Sequence, residues 1–218
     1  MSAPEPRLSS TIVVIRGGDA ALEVLLLRRS GEKKPWVFPG GKLDQADRTG
    51  DGGEEAALRR AAVREAREEA GLALAPSDLS LISRWITPAI TPKRFDTYFY
   101  LAQVPDSAEV RVDGGEIAGH RWLAPEAALE GHHRQEIRLA PPTFVSVSWL
   151  TAYPTAAEAA RALASVELIT FRPRIQPIEG GACILYPGDA GYEANDRSLP
   201  GPRHRLWSRA QGWEYERS

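Results

Sequence analysis

The sequence predicts an α/β protein: a mixed sheet sandwiched by helices, with a β-rich extension at the C-terminus. Three observations carry this. Short apolar or alternating runs recur between turn residues, among them "TIVVIR", "LEVLLLRR", "LSLISRWITP" and "RFDTYFYLAQV", which is how strands read. One long stretch, Glu54 to Ala70, holds no glycine or proline and only Val63 as a β-branched residue, so it reads as a helix. Strands and helices interleave without the regular alternation of a parallel doubly wound sheet, so strands of both directions are expected.

In chain order, "TIVVIR" and "LEVLLLRR" form a strand pair with "GGDAA" as their turn. "PWVFPGGKLD" follows, where Pro39, Gly40 and Gly41 predict a tight loop. "TGDGG" opens the long helix, and Gly71, which can adopt the left-handed conformation, closes it. Beyond the next two strands, "HRWL" is a further strand candidate and "PEAALEG" a short helix. Helical composition returns from Pro142 to Leu163, where "PTAAEAARAL" has a proline at its start. From Glu167 the character changes: "VELITF", "ACILYPGD" and "HRLWSRAQGWEYERS" are strand-like pieces separated by proline, glycine and aspartate. The expected organisation is a domain over residues 1–166 and an extension, 167–218, packed on it.

The chain has 218 residues, 43% hydrophobic and 26% charged, enough for one good core and an extension. A formal net charge of −2 gives no support to nonspecific nucleic-acid binding, which needs a basic stripe. Cys183 is the single cysteine and has no partner for an internal disulfide, which suits a reducing compartment. No apolar run approaches membrane length, and "MSAPEPRLSS" lacks the basic and apolar regions of a signal peptide. A cytoplasmic location is expected, with no membrane partner.

Near the end of the long helix, "REAREEAGL" gathers Glu65, Glu68 and Glu69. At helical spacing all three carboxylates project to one side, where they repel one another and oppose the negative end of the helix dipole. A solvated acidic face is one reading. The angular position favours another: the acids continue the line of Leu58, Ala61 and Ala62 beside a stripe of Ala56, Val63, Ala66 and Ala70, with Arg60 and Arg67 on the predicted wet side. Carboxylates pointing along or into the body need neutralising, and a hard divalent cation, Mg²⁺ or Mn²⁺, does this with oxygen ligands.

"PGGK" followed by Arg64, Glu65, Ala66, Glu68, Glu69, Gly71 and Leu72 in order resembles the Nudix box of the Nudix hydrolases. The resemblance implies an α/β/α sandwich, a loop and helix that present divalent metal, and hydrolysis of a nucleoside diphosphate linked to another group. Longer stretches, "VFPGGKLDQAD", "AAVREAREEAGL", "WITPAITPKRFDTYFYLA" and "LAPPTF", look like the branch that includes the mammalian peroxisomal coenzyme A diphosphatase and its bacterial relatives, over about Thr11 to Leu163. The coenzyme A motif that precedes the box in other branches is missing. One departure concerns spacing: the gap from Gly41 to Arg64 exceeds the usual one by the length of "RTGDGGEEA". The upstream acid of the box is then Asp47, Glu54 or Glu55.

By this resemblance Glu65, Glu68 and Glu69 bind Mg²⁺ or Mn²⁺, with the Gly41 carbonyl as an additional ligand. Arg64 orients them, pairing with a carboxylate at i+4 or with the upstream acid; a surface arginine is the plainer alternative. The base for an attacking water is expected at Glu116, ahead of Trp122, or else at a box glutamate, with Glu68 among the catalytic candidates. Lys93 and Arg94 are expected to contact phosphate, and Phe95 or Tyr98 to stack on a base. His132 and His133 read as loop residues, and Arg203 and Arg205 as a surface charge cluster able to bind an anion. The partner expected is a small-molecule nucleoside diphosphate derivative such as CoA or acyl-CoA; a homodimer stays open. ADP-ribose, NADH or a nucleotide is the alternative substrate, and a non-catalytic nucleotide-binding module the alternative class.

Overall fold

The computed structural model describes residues 4–17, 21–31 and 34–218. The centre of the "GGDAA" turn, 18–20, lies outside the described residues. The axis of the larger sheet is β1 (Arg7–Arg16), parallel to β6 (Phe95–Gln103), with Arg7 opposite Phe95 and Ile15 opposite Gln103. On its other side β1 pairs antiparallel with β2 (Glu23–Arg29) near one end and with β4 (Gly40–Lys42) near the other. β3 (Trp36–Val37) and β7 (Ile117–Leu123) add to β2, and β5 (Ser80–Ile86) lies antiparallel to β6. At the far edge, β8 (Ile169–Phe171), the first strand of the extension, is parallel to β5. Both strand directions occur, as expected.

The "PGGK" segment is not a tight loop. Gly40 and Gly41 sit in a short strand opposite Thr11 and Ser10. A Cβ on Gly40 would come within 2.5 Å of the Ser10 carbonyl oxygen, so glycine serves close approach here and not a turn.

Helix α1 (Gly53–Ala70) ends as predicted: Gly71 has φ 68°, and its amide donates to the Arg67 carbonyl at 3.0 Å. Pleating sends alternate residues of β1 to opposite faces. Ile12 and Val14 meet Leu58, Ala62, Ala66 and Ala70 of α1, while Val13 and Ile15 enter the opposite core. Burying a side chain such as Leu58 contributes about 1.5–3 kcal/mol, and Ser10 Oγ pins the helix by donating to the Leu58 carbonyl at 2.7 Å. Arg60 departs from its expected wet position. It is half-buried, donating to the carbonyls of Asp47 (2.8 Å) and Asp51 (3.3 Å), because the inserted loop folds back over the helix.

The opposite face of the sheet is covered by α2 (Pro125–His133), α3 (Pro141–Leu150) and α4 (Ala156–Leu163). The single helical span expected from Pro142 to Leu163 is thus two helices. Pro154 cannot donate an amide and disfavours helical geometry before it, and Thr155 then caps α4, its hydroxyl accepting from the Glu158 amide at 3.2 Å.

The extension continues as an antiparallel sheet of β9 (Arg174–Ile178), β10 (Gly181–Leu185), β11 (His204–Arg209) and β12 (Gly212–Arg217). The sequence reading missed β9 because of its proline; Pro177 is tolerated since β9 is an edge strand. Ile184, Tyr186 and Leu206 join the core that holds Val13 and Phe99. At the junction Trp85 and Phe171 stack at 3.8 Å with 2° between planes, and Tyr186 meets Phe171 edge-on at 4.9 Å.

Two further expectations are corrected. His132 and His133 lie in the last turn of α2, not in a loop. His132 is buried between the backbone amides of Leu139 and Trp213, and His133 Nε2 lies 2.8 Å from the Trp213 carbonyl, so both fasten the β11–β12 hairpin. Arg205 is not a surface cation: it is buried and bonds Asp189 through two nitrogens, each at 2.7 Å. Among the described residues no helix is long and apolar enough to cross a membrane.

Candidate active site

An open cleft of about 780 Å³ lies where the last turns of α1, β4 and the N-terminal ends of β1 and β6 meet. The parallel register of β1 and β6 forms its floor. It puts Ser9 opposite Thr97, their hydroxyls 2.7 Å apart, and Thr11 two residues along on the same face. Among the described residues six carboxylates line the cleft, Asp44, Glu65, Glu68, Glu69, Asp113 and Glu116, against two cations, Arg29 and Lys42.

Of the box carboxylates, Glu69 is 6% exposed and accepts the Gly40 amide at 2.9 Å. Burial pushes its carboxyl up to about 7; the Gly40 bond and Arg29 oppose this, while Glu65 and Glu116 add to it. Burial likewise raises Glu65, against the pull of Arg64. A Cβ on Gly41 would fall 2.2 Å from Glu65 Oε1, so this glycine is what lets that carboxylate reach the strand. Glu68 is exposed.

Arg64 makes both of the pairings considered for it, with a carboxylate at i+4 and with an upstream acid. Its Nη1 donates to Glu65 Oε1 at 2.8 Å and Glu68 Oε2 at 3.0 Å, while Nε and Nη2 grip Asp47 at 3.1 and 3.0 Å. Of the three candidate upstream acids, Asp47 is therefore the one placed against Arg64; Glu55 pairs with Arg59, and Glu54 is exposed. Burial acts to raise the Asp47 carboxyl, but Arg64 and the Asp44 amide outweigh it and hold it below the usual range. In the fold the insertion divides between a loop and the first turn of α1, and Asp47 is held by Arg64 and by the Asp44 amide at 2.9 Å.

Among the described residues no three side chains of histidine, cysteine, aspartate or glutamate are grouped to hold a metal ion as they stand. Arg64 bridges Glu65 and Glu68 instead. The donor set nevertheless fits a hard divalent cation: it is all oxygen, it is in large acidic excess, and two of its carboxylates are raised by burial with no cation of their own strong enough to offset it.

Glu116 lines the same cleft. Its backbone is fixed by donation to Asp113 Oδ2 at 3.0 Å and by accepting the Ser30 amide at 2.7 Å. Lys93 and Arg94 are not brought to the cleft lining; the Arg94 guanidinium is committed to the carbonyls of Pro4 (2.7 Å) and Thr87 (3.1 Å). Phe95 borders the cleft, whereas Tyr98 faces the helix side with Arg84 5.0 Å over its ring. Sequence reasoning missed Arg29 and the hydroxyls of Ser9, Thr11 and Thr97. Lys42 was within the quoted box, but Arg29 is aimed by a shift of register between Arg28 and Arg29 in the β2–β7 pairing, which leaves no local signal.

Comparison with known proteins agrees with this arrangement. The NUDIX domain family matches residues 6–144. The human acyl-coenzyme A diphosphatase NUDT19 is 33% identical over 117 residues, which are 50% of this chain and 31% of that protein. Its Xenopus laevis counterpart is 29% identical over 131 residues, 57% of this chain and 34% of that one. The chain thus spans about a third of the length of these relatives. Among solved structures, a NUDIX hydrolase from Alicyclobacillus acidocaldarius superposes with a TM-score of 0.62 at 26% identity, covering 72% of this chain and 96% of that one. The box residues, the mixed sheet with its acidic helix end, and the match over 6–144 lead to one assignment: the chain belongs to the Nudix hydrolase family.

Proposed function

We propose that the chain hydrolyses the diphosphate linkage of a nucleoside diphosphate derivative with Mg²⁺ or Mn²⁺ at the acidic cleft, and that the derivative is coenzyme A or an acyl-coenzyme A. The observation that carries this is the cleft's charge: among the described residues six carboxylates face two cations, an acidic excess that repels an anionic diphosphate unless a metal stands between. The substrate class draws support from the acyl-coenzyme A diphosphatases it resembles.

Glu65, Glu68 and Glu69, with the Gly41 carbonyl, would hold the cation. When bound, it neutralises the diphosphate and makes water a stronger nucleophile. Arg64, anchored on Asp47, keeps the carboxylates oriented. Glu116 accepts a proton from the attacking water, whose oxygen bonds to phosphorus as the bridging P–O bond breaks and the second phosphate leaves. Arg29 and Lys42 meet phosphate oxygens. From coenzyme A the products are 3′,5′-ADP and 4′-phosphopantetheine.

The test is a side-by-side kcat/KM for coenzyme A, dephospho-coenzyme A, ADP-ribose and NADH, with Mg²⁺ and with Mn²⁺. Coenzyme A is expected to lead. A lead of about tenfold for ADP-ribose or NADH would remove the coenzyme A assignment and keep the diphosphatase; no turnover of any would remove both.

A further inference from the structure

A second cavity, about 520 Å³, opens from the acidic cleft and shares Thr11, Arg29, Gly40, Phe95 and Thr97 with it. Beyond this shared rim its walls turn apolar. Trp85 and Phe99 come from the larger sheet, and Pro173, Ile175, Ile184 and Tyr186 from the C-terminal extension.

Two observations mark this chamber as a ligand site. Its volume is in the range that encloses small-molecule groups, and it continues directly from the cleft. Its lining beyond the shared rim is largely apolar, so the group it suits is apolar.

We propose that the C-terminal sheet is part of the substrate site, closing a chamber that receives an aliphatic group carried on the phosphate distal to the nucleoside. This rests on the diphosphatase reading, because the cleft must hold the diphosphate for the next group to enter the chamber. Pro173, Ile175 and Ile184 then determine specificity: they remove that group from water, which multiplies affinity about fourfold for each methylene buried. The extension, which carries none of the box residues, acquires a role in choosing the substrate.

The probes are methylene-bridged ADP analogues, which resist hydrolysis, esterified on the distal phosphate with methyl, butyl or hexyl groups. Binding is measured by calorimetry with Mg²⁺ present. Affinity is expected to rise about fourfold per added methylene until the chamber is full. Two substitutions should each flatten that slope to below about twofold per methylene: Ile175→Asp, at a residue 38% exposed and so tolerant of change, and Ala140→Trp, which fills the chamber from the start of α3. A flat series in the unsubstituted protein, or a slope that survives both substitutions, overturns the proposal. So does a flat series whose affinity collapses when adenine is removed, since the base would then occupy the chamber. Turnover of hydrolysable diphosphates is scored separately: turnover with a flat alkyl series removes the chamber alone, and a normal alkyl series without turnover removes the diphosphatase alone.

Discussion

Two buried carboxylates in this molecule have opposite surroundings. Asp189, in the extension, is met by two nitrogens of Arg205 and by the amides of His204 and Gly191. Burial works to raise its carboxyl, but these partners win and hold it below the usual range. Glu69, in the cleft, has a single amide bond and acidic neighbours, and it is driven up to about 7. The difference separates an acid whose cation is built into the fold from one that the fold leaves short of cations.

The largest test of the contrast is Arg205→Ala. It leaves Asp189 buried without its cation, and chemical denaturation should register a loss of about 3–5 kcal/mol, as for other broken buried pairs. A loss below about 1 kcal/mol would mean that the pair is not structural.

Glu69→Gln should behave in the reverse way. It removes a repelled buried charge, so the metal-free fold should keep or gain stability, while kcat drops at least about 100-fold, near 2.7 kcal/mol of barrier. Near-normal turnover at saturating Mg²⁺ would show that Glu69 does not hold the metal. Glu116→Gln sharpens the comparison within the cleft. It should cost about 100-fold in kcat, the low end for a general base, remove the acid limb of the pH profile, and leave metal affinity nearly unchanged. An unaltered profile would transfer the role to a box glutamate.

The smallest effect is in pH dependence, and the two acids should bend it in opposite directions. Glu69 has a folded value near 7 against an ordinary 4.5, so its contribution to metal-free stability is full below 4.5 and lost as pH rises through about 7. Asp189 is lowered from 3.8, so its contribution is present above that value and lost as pH falls below it. Melting temperatures recorded in EDTA across this range should therefore change by roughly a few degrees, with Glu69→Gln abolishing the upper slope and Asp189→Asn the lower. If the upper slope persisted in Glu69→Gln, another group would be its source.

Much of the site was legible because it is local. Glu65, Glu68 and Glu69 share one helix face whatever the tertiary fold, and Gly71 closes that helix through its own backbone freedom. The long strands β1, β2, β5 and β6 of the larger sheet were readable from their apolar runs, whereas β3 and β4 lie in the segment that reads as a loop. What escaped depends on contacts distant in sequence. Arg205 reads as a surface residue until Asp189 is folded against it, and the choice of Asp47 over Glu54 or Glu55 depends on how a long loop lies over α1. Arg94 looked available for phosphate until the N-terminal segment supplied the Pro4 carbonyl. The split between α3 and α4 follows from Pro154, which helical composition alone does not weigh.

The hydroxyl pair of Ser9 and Thr97 joins positions 88 residues apart, and that separation has a consequence in time. Parallel strands cannot be joined by a short turn, so the chain between β1 and β6, including all of α1, must be brought round before the floor of the cleft exists. Contacts of such sequence separation form slowly. A growing or refolding chain can therefore display its acidic helix well before it has a cleft, and hydrolytic competence should appear only with the last cooperative step of folding.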